Sequence, residues 1–202
     1  MAWDTERTKR LLLDAATAEF SEHGLAGARI DRIATMAGVN KERIYQYFGK
    51  KDDLFAAVLA TRLRATMDDV PMLGIGPEAA GDYAGRLFDH HVADAVIPRL
   101  VFWEGLERGA ATAADAARAS YHDAKVAAFQ ELLPGVDRDA AGELLLTIVT
   151  LVNAWPVLGH LDGFLLGTGR GRTAARRHAI VETVTAMARA STESPAVGAS
   201  AG

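Results

Sequence analysis

The chain of 202 residues contains no cysteine. Disulfide bonds, thiolate metal sites and cysteine nucleophiles are therefore excluded. The N-terminal segment also lacks the apolar stretch of a secretory signal. The longest apolar runs, around 144–151 and 154–158, are shorter than the roughly 20 residues that cross a bilayer. The sequence thus predicts a soluble, cytoplasmic protein with no membrane partner.

Alternating runs of Val, Ile and Thr are scarce, which makes β-strands a poor expectation. Half of the residues are hydrophobic, and most of these are helix-forming Ala and Leu. The pattern predicts an all-α protein with about nine helices. These comprise a small N-terminal group of three helices and a larger C-terminal helical bundle. Within this plan the helix after Asp137 is predicted to end near Ala154, before Pro156.

Net charge differs between the N-terminal third of the chain and the remainder. Residues 1–66 carry 11 Lys+Arg and 9 Asp+Glu, a net of +2, whereas the remainder carries 11 and 17, a net of −6. The linker candidate is 71–77, which holds two prolines and two glycines. We expect a DNA-binding domain over 6–66, a second domain over 77–191, and a disordered tail over 192–202.

The segment from Ala28 to Phe55 has the steric pattern of a helix-turn-helix, in which two short helices cross over a tight turn. Gly38 can adopt the left-handed conformation of the turn, and Ala34 is small where the second helix crosses. We predict the two helices at 30–37 and 40–48. A helical hairpin of an ordinary bundle is the alternative interpretation.

The second of these helices is predicted to enter the major groove of double-stranded DNA with its N-terminal residues. Arg and Lys side chains donate to guanine, Asn and Gln pair with adenine, and Tyr hydroxyls hold phosphates. A lysine at the start of the fourth helix suits a phosphate contact. The candidate DNA-binding residues are Arg29, Asn40, Lys41, Arg43, Tyr45, Tyr47 and Lys51.

The stretches LLDAATAEFSEHG and IDRIATMAGVNKERIYQYFGKKDDLF resemble the DNA-binding domain of the TetR family of transcriptional regulators. The resemblance covers roughly residues 6–66. It implies an N-terminal three-helix helix-turn-helix domain for DNA binding and a C-terminal helical bundle for ligand binding and dimerisation over 77–191. It also implies that Lys41, Arg43, Tyr45, Tyr47 and Lys51 touch DNA. One departure is the start of the second helix, where the family usually has Thr or Ser. Here Arg29 and Asp31 stand instead, so that Arg29 is a phosphate contact by position and the helix cap is left unassigned.

The C-terminal half offers aromatic and polar side chains in otherwise aliphatic helices. Core packing is the plain interpretation, and an apolar cavity with a few polar anchors is the functional one. The candidate ligand-binding residues are His91, Trp103, Tyr121, Asn153 and Trp155. No metal site, cofactor or catalytic residue is predicted, because the histidines lack metal-ligand spacing and no nucleophile–base set is present.

These features lead to the hypothesis of a homodimeric regulator, which the resemblance makes a repressor. It would be released from a near-palindromic operator by a small apolar or amphipathic effector. Two alternatives stay open: an enzyme or carrier built in the C-terminal bundle, and a regulator without a ligand. A catalytic residue set would favour the first, and a bundle with no cavity would favour the second.

Overall fold

A computed structural model describes residues 2–108 and 116–193. Over these ranges it contains nine α-helices and no strand, which confirms the predicted fold class. The helices are α1 (Ala2–Gly27), α2 (Ile30–Ala37), α3 (Glu42–Phe48), α4 (Lys51–Asp69), α5 (Pro77–Ala93), α6 (Val96–Glu107), α7 (Ala116–Leu132), α8 (Arg138–Leu166) and α9 (Arg172–Glu193).

The chain divides into two compact units. The first contains α1 to α3, most of α4, and α6. Its core is built on Phe20 of α1, whose ring meets that of Phe55 of α4 edge-on at 5.2 Å. Leu12, Ile33 and Ile44 are also fully buried. The apolar stripe of α1 therefore supports the two short helices of the helix-turn-helix.

Helix α6 belongs to the first unit because it binds the C-terminal end of α1. The Trp103 indole donates to the carbonyl of Ser21 at 3.3 Å, and the carboxylate of Glu107 accepts from the N–H of Ala26 at 2.9 Å. Between these contacts Gly24 has φ 70°, and a Cβ there would lie 2.9 Å from the Trp103 ring. Gly24 thus interrupts α1, although the helix resumes as far as Gly27.

The second unit contains α5, α7, α8 and α9 around one apolar core. Two glycines of α5 let α9 approach closely: a Cβ on Gly81 would lie 3.0 Å from the carbonyl oxygen of Val181, and one on Gly85 would lie 2.9 Å from the Val181 side chain. The helices run antiparallel, since Glu78 pairs with Arg189 and Asp89 pairs with Arg177. This close pair is the scaffold on which α7 and α8 pack.

The prediction that α8 ends before Pro156 is wrong. The helix continues to Leu166 with a kink at Leu158, where φ is −107° and ψ is 17°. Proline lacks the backbone donor for one helical hydrogen bond, and a helix can accommodate this loss by bending and then continuing. The two apolar runs, each too short for a bilayer, therefore join in one helix that is long and apolar enough to cross one by length and composition. Of the 18-residue apolar stretch of this helix, 28% is buried.

The boundaries of the units differ from the domains expected from sequence. Residues 96–108 lie with the first unit, whereas the sequence prediction placed them in a domain over 77–191. Helix α9 extends through Thr192 and Glu193, two residues into the predicted tail. Residues 194–202 of the predicted tail lie outside the described residues.

Candidate DNA-binding surface and effector site

The turn between α2 and α3 has the geometry of a helix-turn-helix. Gly38 adopts φ 66° and ψ 30°, and its N–H donates to the carbonyl of Thr35 at 3.1 Å. Val39 donates in turn to the carbonyl of Ala34 at 3.1 Å. A side chain at position 38 would meet nothing within 4 Å, so the glycine is required by its backbone conformation and not by space.

The missing cap of α2 is supplied from another helix. Arg29 makes no side-chain cap, but its backbone N–H donates to Oε1 of Glu19 at 2.8 Å. The same oxygen accepts from Nε of Arg32 at 2.7 Å. Burial alone raises the pKa of Glu19, but the hydrogen bonds from Arg32 and the Arg29 N–H outweigh it and hold the pKa below its ordinary value. An ionised Glu19 on α1 therefore fixes where α2 begins.

The predicted recognition residues lie on the outer face of α3 and the turn before it. Asn40, Lys41 and Arg43 are exposed, and the Tyr45 side chain is 54% exposed. Tyr45 is thus available to DNA and is not part of the core. Lys41 Nζ lies 3.3 Å from Oδ1 of Asp31, and this exposed pair is weak enough for a phosphate to replace it.

Arg43 is held by side chains of its own helix. Its Nη1 donates to the hydroxyl of Tyr47 at 3.1 Å and to Oε1 of Gln46 at 3.3 Å. Its guanidinium also lies 5.9 Å from the centre of the Tyr47 ring. Because two residues of the same helix hold Arg43, its fork of donors is oriented before DNA arrives.

The N-terminal turns of α1 border the recognition helix, which sequence reasoning did not predict. Asp4, Thr5 and Thr8 line a groove of about 460 Å³ together with residues of the turn and α3. Those residues are Val39, Asn40, Arg43 and Tyr47. The sequence signal for this groove was the helical period of α1, which places residues 4, 5 and 8 on one side of the helix, one to two turns before Leu12.

Lys51, at the start of α4, is turned toward the end of α1. Its Nζ donates to the carbonyl of Ala28 at 3.2 Å and to that of Ala26 at 3.4 Å. An ammonium has three donors, so one remains for a phosphate. Lys51 therefore ties α4 to the loop before α2, and its contact with DNA stays a prediction, as does that of the exposed Arg29.

Four of the five predicted ligand-binding residues belong to the second unit. His91 of α5 is 3% exposed and Asn153 of α8 is 4% exposed. Both ring nitrogens of His91 and Oδ1 of Asn153 are buried without a hydrogen-bond partner among the described residues. Burial, with smaller contributions from His90 and Lys125, lowers the pKa of His91 to about 3, so the ring is neutral near pH 7.

Tyr121 and Trp155 add aromatic surface to this unit. Tyr121 of α7 lies beneath the ammonium of Lys125, 6.0 Å from the ring centre. Trp155 of α8 packs against Phe88 of α5 with ring centres 6.2 Å apart. Lys125 was not predicted from the sequence, because a lone lysine in a helix is ordinarily solvated.

Trp103 is the exception among the predicted ligand-binding residues. It lies on α6 in the first unit, where its indole N–H is bonded to Ser21 of α1. A ligand contact by Trp103 stays a prediction, and the described contacts make it a packing residue. In the described part of the chain no group of three or more His, Asp or Glu side chains could hold a metal ion.

Family models match both the N-terminal and the C-terminal part of the chain. Residues 12–58 match the family model for bacterial regulatory proteins of the tetR family, and residues 80–196 match the tetracycline repressor-like C-terminal domain. A curated HTH-type transcriptional repressor of Streptomyces coelicolor is 40% identical over 183 residues, which cover 89% of this chain and 94% of the relative.

Solved structures agree with the fold. A transcriptional regulator of Streptomyces coelicolor is 29% identical with a TM-score of 0.65, over 89% of this chain and 97% of that one. A regulator from a Rhodococcus species has a TM-score of 0.69 at 19% identity, over 92% and 98% of the two chains. The second likeness concerns the fold alone, because its identity is low.

Proposed function

This chain belongs to the TetR family of bacterial transcriptional regulators, and from that premise we propose that it is a homodimeric repressor whose operator affinity a small effector controls. It is a DNA-binding regulator, and its curated relatives are named as repressors and regulators, not as enzymes. The observation that carries the proposal is the exposed face of α3, with Arg43 held in place beside Asn40 and Tyr45. Repression, dimerisation and effector release are the proposed steps beyond this.

Reading of an operator is tested at Arg43. If its guanidinium reads a guanine, Arg43→Ala removes about 1–3 kcal/mol of binding free energy, roughly a tenfold to hundredfold loss of affinity. The probe is an operator selected from a random DNA pool, titrated in gel-shift assays. Arg64→Ala is the matched control, because Arg64 is an exposed cation of α4 outside the recognition surface. Equal affinity of the two variants would contradict base reading by Arg43.

The homodimer is supported by the uncovered apolar side of α8. Phe164 is 84% exposed and Leu165 is 78% exposed, and neither is buried by the chain itself. Between α8 and α9 lies a groove of about 440 Å³ whose lining includes Leu158, Leu161 and Leu165. A monomer seldom leaves such a surface in water, so a second copy is its proposed occupant.

Dimerisation places two recognition helices about 34 Å apart, one turn of DNA, on a near-palindromic operator in the cytoplasm. Sedimentation of the purified chain measures the dimer directly, and Leu165→Lys is expected to produce monomers. A monomeric wild-type chain at micromolar concentration would overturn this arrangement.

The proposed effector is a small apolar or amphipathic molecule bound in the second unit near His91, Tyr121, Asn153 and Trp155. It releases DNA only if it binds the DNA-incompetent state more tightly than the competent one. Screening of small molecules for loss of the gel-shifted complex tests this step. A chain that no molecule releases from its operator would instead be a regulator without a ligand.

A further inference from the structure

Lys125 is a buried cation with no counter-ion among the described residues. The residue lies on α7 of the second unit and is only 9% exposed. Its ammonium lies 6.0 Å from the centre of the Tyr121 ring. Burial lowers the pKa of Lys125 to about 8, and no described carboxylate raises it. At pH 7 the group is therefore charged.

Unsatisfied polar groups of the same unit accompany Lys125. His91 is near enough for both the Lys125 ammonium, which lowers its pKa, and the Asp94 carboxylate, which raises it, to act on the ring. Both ring nitrogens of His91, and Oδ1 of Asn153 on α8, are buried without a partner among the described residues. A neutral histidine donates through one nitrogen and accepts through the other. The second unit thus presents a charged ammonium and, on His91, a donor that no described acceptor uses.

We propose that Lys125 and His91 bind the carboxylate of the effector, and that the effector is therefore an apolar monocarboxylic acid. The inference rests on the proposed function, because it specifies the ligand of the same unit. A carboxylate supplies the charge that Lys125 lacks and an acceptor for the His91 N–H. The Tyr121 ring beside the ammonium and the apolar core of the unit are the counterpart for the rest of the molecule.

Charge decides between ligand classes. A cationic effector would add a second positive charge beside Lys125 in a region of low dielectric constant, where like charges repel strongly. A neutral effector would leave the ammonium unpaired. Only an anion pairs it, and an apolar body is needed because the surrounding core is aliphatic and aromatic.

The test uses three probes of equal chain length: octanoate, octan-1-ol and octylammonium. Their binding to the full-length protein is measured by calorimetry at pH 7. We expect octanoate to bind at least tenfold more tightly than octan-1-ol, and octylammonium to bind worst. Lys125→Met should weaken octanoate at least tenfold and leave octan-1-ol unchanged, whereas Lys125→Arg should keep the preference for octanoate. Arg170→Met, at an exposed loop cation of the same unit, controls for the change in net charge.

Equal binding of octanoate and octan-1-ol by the wild type would overturn the proposal, as would octanoate binding that Lys125→Met leaves intact. Failure of all three probes to bind would overturn it as well. Misfolding does not confuse the result, since octan-1-ol binding reports an intact core in Lys125→Met. Operator release is scored separately by gel shift. Lys125-dependent octanoate binding without release would sustain this site and refute effector control, and release by other molecules without a carboxylate preference would do the reverse.

Discussion

Glu19 of α1 holds the start of α2, the first helix of the helix-turn-helix. Its carboxylate is 3% exposed and accepts from both the Arg29 N–H and the Arg32 side chain. Glu19→Gln retains the size of the side chain and one acceptor oxygen, but it removes the negative charge. We expect this substitution to destabilise the first unit and to lower affinity for every DNA sequence alike.

The magnitude follows from the bonds that weaken. A hydrogen bond to a charged group contributes about 1.5–3 kcal/mol, against about 1 kcal/mol for a neutral one. The guanidinium of Arg32 is 41% exposed and also donates to the carbonyl of Gly27 at 3.0 Å, so it is not stranded when Glu19 is neutralised. Each of the two bonds to Oε1 therefore weakens by about 0.5–2 kcal/mol, which gives a total loss of about 1–4 kcal/mol in the free energy of unfolding.

Urea denaturation followed by Trp103 fluorescence measures this loss, because the Trp103 indole is bonded to α1 and reports the first unit. The other two tryptophans are replaced by phenylalanine in every variant. Glu22→Gln is the matched control, one turn from the Glu19 position and exposed. Equal stability of Glu19→Gln and Glu22→Gln would refute the capping role.

The same carboxylate predicts a pH dependence. The folded pKa of Glu19 lies below its unfolded value, so its contribution is complete above the unfolded pKa and is lost as pH falls through the folded one. Glu19→Gln should consequently flatten the acid side of the stability curve. An unchanged acid limb would contradict the assignment.

Three further outcomes are expected. Lys51→Ala should lower affinity for all DNA sequences alike and reduce the slope of log affinity against log salt by about 1, as measured by anisotropy titrations; an unchanged slope would exclude a phosphate contact. Gly81→Ala should destabilise the second unit by about 1–3 kcal/mol in urea, because its Cβ would meet α9 backbone at 3.0 Å. Gly142→Ala, in a helix with nothing within 4 Å, should be neutral or stabilising, and similar losses in both would refute the close approach. Burial keeps the folded pKa of His91 at about 3, below the unfolded value of about 6.5. The folded state is therefore destabilised as pH falls from about 6.5 toward 3, because the unfolded state takes up the proton first. Between pH 7 and pH 5 the wild type should lose about 2 kcal/mol more of its free energy of unfolding than His91→Gln, as measured by Trp155 fluorescence in urea.

Local steric demands were predictable from sequence, and long-range partners were not. Helix α2 has the predicted bounds, because Gly38 is the one residue there that reaches the left-handed region without strain. The start of α3 was placed two residues early, at Asn40, because the turn has no side-chain cap to mark it. The cap of α2 was missed because Glu19 lies ten residues away on another helix. No local rule connects such positions.

Proline in α8 shows the opposite kind of error, in which a local rule is overridden. Pro156 removes one backbone donor and ordinarily ends or kinks a helix at a cost of about 3 kcal/mol. The helix continues here because both sides of the kink are held: Val152 is buried before it, and Asp162 is bonded to Arg172 of α9 after it. A prediction based on helix-breaking residues alone does not include tertiary contacts of this kind.

The buried charge of Lys125 lowers the stability of the ligand-free second unit. Transfer of Lys125 from water to its site lowers its pKa from 10.5 to about 8, so holding it charged at pH 7 costs about 3 kcal/mol as an upper figure. A core selected for stability alone would carry an apolar side chain at this position. Lys125→Met should therefore raise the urea midpoint of the ligand-free protein, whereas a lysine that the fold needs would make the same variant less stable. A stabilised variant that no longer distinguishes octanoate from octan-1-ol would show that the charge is retained for the ligand.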